Sequence, residues 1–284
     1  MRLLICWPML AGARLWGAEG IVSTAPSFTE SLFALGLGPR VLAVSQYCHY
    51  PPEVAKLPRV GTYLQPNIEA IAKLQPGLVL AHAEQKQVVE QLKALGLRVA
   101  VLRNTTLEDA LRSIREIGAS AGHADRGLQL ENALRGRLAA IEKASASRAR
   151  RSLLFIVGRT PGRLDGMIAA GKGSFLNEII RMAGGRNVLG DSPVAYPRIS
   201  LETVIRLNPD VIVDMGDMSA TADVTQEHTR SVTGLWSTQS ASIRAVASGN
   251  VHAVAADIFV VPGPRVVEAA EAFSRFLQAA RSSR

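Results

Sequence analysis

Three of the four tyrosines in this chain fall at places where a side chain could meet a ligand. Tyr47 follows the apolar run "VLAVSQ", Tyr63 lies in "VGTYLQPN" and Tyr196 in "VAYPRIS"; Phe259 comes after "VHAVAAD". Tyr63 and Tyr196 each stand six residues before a glutamate, Glu69 and Glu202. Aromatic faces bury much area at little conformational cost, so two uses fit these positions: the lining of a cleft for a large flat ligand, or plugs at an interface between lobes. Covalent chemistry has few candidates. The chain contains no G-x-x-x-x-G-K-[ST], no H-E-x-x-H and no G-x-S-x-G, and "GKGSFL" lacks the third glycine of a dinucleotide fingerprint. The five histidines (49, 82, 123, 228 and 252) have no metal-ligand spacing. Cys48 stands between Tyr47 and His49 with no third group to position it as a nucleophile. A metal-dependent α/β enzyme using His82 or Cys48 is the outside alternative; it would need several convergent groups that the spacing does not supply.

The elements that must position these residues come in two similar sets. "QPNIEAIAKLQPGLVLAH" and "RISLETVIRLNPDVIVDM" each place a capping residue (Asn67, Ser200) two positions before the glutamate, then an amphipathic run, a Leu-x-Pro turn and a short apolar strand. "PSFTESLFALGLGPRVLAV" is echoed by "GSFLNEIIRMAGGRNVLG". Unbroken apolar strands alternating with helices predict mainly parallel, helix-covered sheets. Self-similarity at half the chain length predicts two related lobes. Between them, an Ala/Leu/Arg/Glu-rich segment has helical spacing, with a break near Gly118–Gly122. Its second part, 123–145, would span about 35 Å as one stiff helix. The expected fold is therefore α/β: two Rossmann-like lobes (20–104 and 151–284) joined through a helical connector (105–150) by one long helix, with a ligand cleft between them. Glu69 and Glu202 would sit in first helical turns, where the dipole favours an anion. On pseudo-symmetric lobes they would also mark matching places at the cleft mouth, as docking onto a two-fold symmetric partner requires.

Composition sets the compartment and the excluded classes. The start, "MRLLICWPMLAGARLWGAEG", reads as an export signal over residues 1–18. Cys6 lacks the context of a lipid-anchored cysteine, and Cys48 is then left without an intrachain partner. No other run is long and apolar enough for a membrane span. The net charge of +8 is scattered, without aromatic residues among the basic ones, which argues against a nucleic-acid face. An exported monomer is expected.

"IVSTAPSFTESLFALG", "YCHYPPEVAKLPRVGTYLQPNIEAIAKLQPGLVLAH", "GSFLNEIIRMAGGRNV" and "YPRISLETVIRLNPDVIV" resemble the helical-backbone substrate-binding proteins of ABC importers for cobalamin, haem and ferric siderophores. The resemblance covers nearly all of the chain after its start, and "SQYCHYPPE" is most similar to the cobalamin-binding branch. It implies a periplasmic binder, not an enzyme, that hands a corrinoid to a permease dimer with its ATPase subunits. It implies ligand contacts at Tyr47, Tyr63, His82, Tyr196 and in an aspartate-led loop, Asp257, Ile258, Phe259, Val260 and Val261. It places His82 as a cleft wall or an axial ligand to cobalt or iron, and Glu69 and Glu202 against arginines of the permease. Haem receptors of this kind use a tyrosine near Tyr63 as iron ligand, and siderophore receptors place arginines in the cleft, here Arg159.

Overall fold

The apolar runs become strands with buried flanks. The structure, a computed structural model, describes residues 19–217, 224–255 and 257–280; the expected export signal lies outside the described residues. In the first lobe β1 (Ile21–Ser23), α1 (Pro26–Ala34), β2 (Val41–Val44), α2 (Ile68–Lys73), β3 (Leu78–His82), α3 (Lys86–Ala94) and β4 (Val99–Leu102) follow in turn. The strands lie in the order β2-β1-β3-β4, all parallel. Every residue of β1 and β3 is buried, which is why those strands read as unbroken apolar runs. With all four strands parallel, their C-terminal ends open on one edge of the sheet, where open α/β sheets bind ligands.

Two helices follow, α4 (Leu107–Ser120) and α5 (Ala124–Ser145). A capping box starts α4: Thr106 Oγ1 accepts from the Asp109 N–H at 3.1 Å, and Asp109 Oδ2 accepts from the Thr106 N–H at 3.3 Å. The chain turns at Ala121–Gly122, and α5 doubles back along α4. The two backbones touch where they cross: a Cβ on Gly118 would lie 2.7 Å from the Gly127 Cα. Glu131 of α5, almost fully buried, accepts from Arg135 at 2.8 Å and faces Arg115 of α4 at 3.4 Å. The 22-residue α5 is about 33 Å long and lies against α6 and α10 of the second lobe, defined next, while α4 packs on α1.

The second lobe runs β5 (Arg151–Gly158), β6 (Met167–Ala169), α6 (Phe175–Met182), β7 (Gly185–Asn187), β8 (Arg198–Ile199), α7 (Leu201–Leu207), β9 (Val211–Asp214), α8 (Gln226–Gln239), α9 (Arg244–Ala247), β10 (Val251–Ala253) and α10 (Val266–Ala279). Its sheet has the order β10-β9-β5-β6-β8. β5 pairs in parallel with β9 and, through Arg151–Leu153, with β7; its far half pairs antiparallel with β6, which pairs antiparallel with β8. The sequence suggests a mainly parallel sheet, and this edge departs from it for a simple reason. Residues 159–166 are too few for the helical crossover that a parallel return needs, so the chain reverses.

One hydrophobic core runs through both lobes, from Ile21 and Phe28 through Ile114, Leu134 and Leu138 to Phe155 and Phe273. A buried ion pair ties the lobes beside it. Arg265, which precedes α10, donates from Nε to Glu30 Oε2 of α1 at 2.9 Å, with a second parallel bond from Nη2 to Oε1. Burial pushes the Glu30 carboxyl up and Arg265 opposes that shift. The guanidinium also lies 3.8 Å over the Tyr50 ring.

Candidate ligand cleft

The C-terminal ends of the four strands in the first lobe form one wall of a cavity of about 710 Å³ between the lobes. After β1, the turn Ala25-Pro26-Ser27 enters α1 with proline in its first turn, where its missing N–H costs nothing. After β2 come Tyr47 and His49. The loop that carries them is pinned by Arg59, whose guanidinium donates to the carbonyls of Ser45 (3.0 Å), Cys48 (2.7 Å) and Val54 (3.3 Å). Tyr47 is 52% exposed, so its ring is open to a ligand. Tyr63 sits on a turn closed by the Gln65 N–H donating to Thr62 Oγ1 at 2.8 Å, and the Gln85 side chain donates to the Tyr63 carbonyl.

After β3 and β4, a polar chain crosses the floor. The Glu84 N–H donates to His82 Nδ1 at 3.2 Å, His82 Nε2 meets Asn104 Oδ1 at 2.6 Å, and Asn104 Nδ2 donates to Ser27 Oγ at 2.6 Å. With Nδ1 accepting, Nε2 carries the proton and donates to Asn104; both ring nitrogens of His82 are engaged. The ring is 2% exposed, stacks on Phe28 with centroids 6.3 Å apart, and meets Tyr63 edge-on at 5.5 Å.

The second lobe supplies the facing wall: Ala195 and Tyr196, then Asp257, Val260, Val261 and Pro262. The 195–196 segment is held by Gly171, whose N–H donates to the Ala195 carbonyl at 2.8 Å; a Cβ on Gly171 would sit 2.3 Å from the Val194 carbonyl oxygen, so only glycine allows this approach. The lining carries two carboxylates, Glu84 and Asp257, and no lysine or arginine. Burial pushes the Asp257 carboxyl up, against the pull of His49 and Arg265. Burial and the charge of Glu84 push the Tyr63 hydroxyl up to about 12.

Residues 21–257 match the family described as periplasmic binding protein. The chain belongs to that family. The vitamin B12-binding protein of Vibrio cholerae serotype O1 is 29% identical over 271 residues, covering 95% of this chain and 92% of that protein. The solved structure of the periplasmic vitamin B12 binding protein of Vibrio cholerae is similar with a TM-score of 0.78 and 28% identity, over 94% of this chain and 99% of that one. A periplasmic heme-binding protein from Roseiflexus sp. RS-1, in apo form, is similar with a TM-score of 0.77 and 26% identity, over 93% of this chain and 100% of that one. The members of this family are substrate-binding proteins of two-lobed α/β architecture, the fold that the sequence motifs indicated.

Of the family positions expected from the sequence, Tyr47, Tyr63, His82, Tyr196, Asp257, Val260 and Val261 meet at the cavity. Ile258, Phe259 and Arg159 do not. Asp257–Phe259 is a turn of 3-10 helix, in which residues three apart eclipse, so Asp257 and Val260 share the cavity side. Phe259 points inward instead, 5.6 Å from the Phe155 ring and 5.4 Å from Phe273, and Ile258 packs partly buried on the core. Arg159 is drawn to Asp214: its Nε donates to Oδ2 at 2.9 Å, where Trp236 Nε1 also donates at 2.8 Å. A carboxylate with no exposed surface requires such partners. Arg159 thus lines a separate cavity of about 290 Å³ within the second lobe. Cys48 is wholly buried beside Thr29, and burial pushes its thiol up to about 11, which leaves it inert as a nucleophile. Among the described residues no three His, Cys, Asp or Glu side chains converge on a metal position.

The sequence gives no individual signal for Ser27, Glu84, Asn104 and Thr105. They line the cavity because strand ends do; β3 lies between the strands that lead to Ser27 and Asn104, and the Asn104 side chain reaches past His82 at its end to meet Ser27.

Glu69 and Glu202 lie elsewhere, each exposed in a first helical turn. Asn67 and Ser200 supply the caps, accepting from the N–H groups of Ala70 at 2.9 Å and Thr203 at 3.2 Å. The two carboxylates are therefore not used in capping bonds.

Proposed function

We propose that the chain captures a corrinoid, cobalamin in particular, between its lobes on the periplasmic side and delivers it to the permease dimer of an ABC transporter, which works with its ATPase subunits. It binds its ligand and does not transform it. The observation that carries this reading is the cavity lining: tyrosine faces and aliphatic side chains with two carboxylates and no lysine or arginine. A corrin ring fringed with neutral carboxamides suits such walls, since amide N–H groups donate to carboxylates and the ring stacks on aromatic faces. Haem carries propionates and many ferric siderophores are anionic; both call for cations that the lining lacks. His82 would have to give up a hydrogen bond before either ring nitrogen could bind cobalt or iron. Support also comes from the vitamin B12-binding relatives described above.

Delivery is the role proposed for Glu69 and Glu202. Matching carboxylates on two similar lobes offer a two-fold permease two equivalent contacts, and rim charges of this kind set orientation and association rate. Titration of the purified protein with cyanocobalamin, haemin and a ferric hydroxamate siderophore, followed by protein fluorescence, tests the choice of cargo. Saturable binding of cyanocobalamin, with the other two at least about tenfold weaker, is the expected result. Tighter binding of haemin would replace this reading by the haem one.

A further inference from the structure

The two carboxylates on the lining occupy opposite walls. Glu84 follows β3 of the first lobe and Asp257 follows β10 of the second, so a ligand seated between the lobes has an acceptor on either side. The backbone N–H of Glu84 is tied to His82 Nδ1 while its side chain is 76% exposed, free to swing over a bound ring. Asp257 is half-buried at the start of its 3-10 turn. We infer that Glu84 and Asp257 make the cleft read the state of amidation of the corrin periphery, admitting corrinoids whose side arms are carboxamides and rejecting those that carry free carboxylates. The inference rests on the corrinoid reading and makes it narrower.

The argument is one of matched hydrogen bonds. A carboxamide presents two N–H donors, and a carboxylate accepts them in charge-assisted bonds. The hydrolysed arm differs by one group but presents only acceptors and a negative charge. Next to Glu84 or Asp257 it leaves both partners without a donor and sets two anions against each other in a partly dehydrated cleft. No lysine or arginine on the lining relieves that repulsion. Discrimination comes chiefly from that repulsion, added to the charge-assisted amide bonds that the acid cannot make. Incompletely amidated corrinoids are thereby turned away even though ring, metal and size are unchanged.

The test compares cyanocobalamin with its singly hydrolysed propionic-acid derivatives, each titrated into the full chain at pH 8. Cyanocobalamin should bind at least about tenfold more tightly than at least one of the acids. In the Glu84→Gln/Asp257→Asn double variant the ratio of the two dissociation constants should collapse toward one. Glu84→Gln alone, at an exposed side chain that leaves folding unaffected, should already narrow it. Equal affinity for amide and acids in the native chain overturns the inference, as does a double variant that keeps the full ratio. Failure of every corrinoid to bind would be a different result, overturning the corrinoid reading and this inference with it.

Discussion

At the scale of single residues, the cleft divides its work between flat faces and fixed polar groups. Tyr47 and Tyr63 project into the cavity from a loop pinned by Arg59 and a turn pinned by Gln85, so under the proposed function their rings would meet a ligand already oriented. Stacking against one such ring contributes about 1 kcal/mol beyond the area it covers. Tyr47→Ala with Tyr63→Ala should therefore weaken corrinoid binding at least about tenfold while circular dichroism stays unchanged; equal affinity would place the ligand elsewhere. The tyrosines were legible in the sequence because each stands at a strand end or a fixed step before a repeated helix. Phe259 has the same credentials and faces the core, because the phase of a 3-10 turn cannot be read from composition. Asn104 and Ser27 were not legible at all: 77 positions separate them, and they meet only across the end of β3 in the folded sheet.

At the scale of elements, α2 and α7 are short helices, each with a side-chain N-cap (Asn67, Ser200) and an exposed glutamate two positions after it. Helix stabilisation alone would account for each carboxylate, at about 0.3–1 kcal/mol. Duplication is what supports the proposed docking role, and transport assays separate the two. Glu69→Ala or Glu202→Ala should leave ligand affinity intact and lower uptake, and the double variant should lose most of it. Reversing a matched permease arginine should do similar harm, with partial rescue when opposite charges are restored. Normal uptake by the double variant at normal protein levels would return both residues to helix stabilisation only. The repeated unit was plain in the sequence because cap, glutamate and Leu-x-Pro turn recur in order. The antiparallel β6 was not, because a three-residue strand carries no mark of its direction.

At the scale of the whole molecule, the lobes are held by a continuous core, a buried Glu30–Arg265 pair and the α4–α5 crossing. A joint with so little loop in it resists closure by large angles. Scattering curves recorded with and without cyanocobalamin should superimpose, and a clear fall in radius of gyration on binding would contradict this. Stability has a second signature. The His252 ring stacks on Phe276 with centroids 4.6 Å apart, and its Nε2 is buried without a partner. Burial holds its pKa below the ordinary value of 6.5. A base that resists protonation in the folded state contributes its full stability above the unfolded pKa and loses it as pH falls through 6.5 toward the folded value. Denaturant unfolding should show this as a slope of up to about 1.4 kcal/mol per pH unit in that window, flattened in His252→Gln. A variant with the same slope as the native chain would assign the loss to other groups.

The crossing of α4 and α5 has a consequence for how such a chain can diversify. At Gly118 and Gly127 backbone rests on backbone, with no side chain in between to swell, shrink or repack. The spacing of α4 and α5 is therefore set by main-chain contact, at positions that do not line the cavity. Under the proposed function, substitutions along the cleft would change what is carried while the span between Glu69 and Glu202 stays fixed, so one landing platform would serve carriers with different freight.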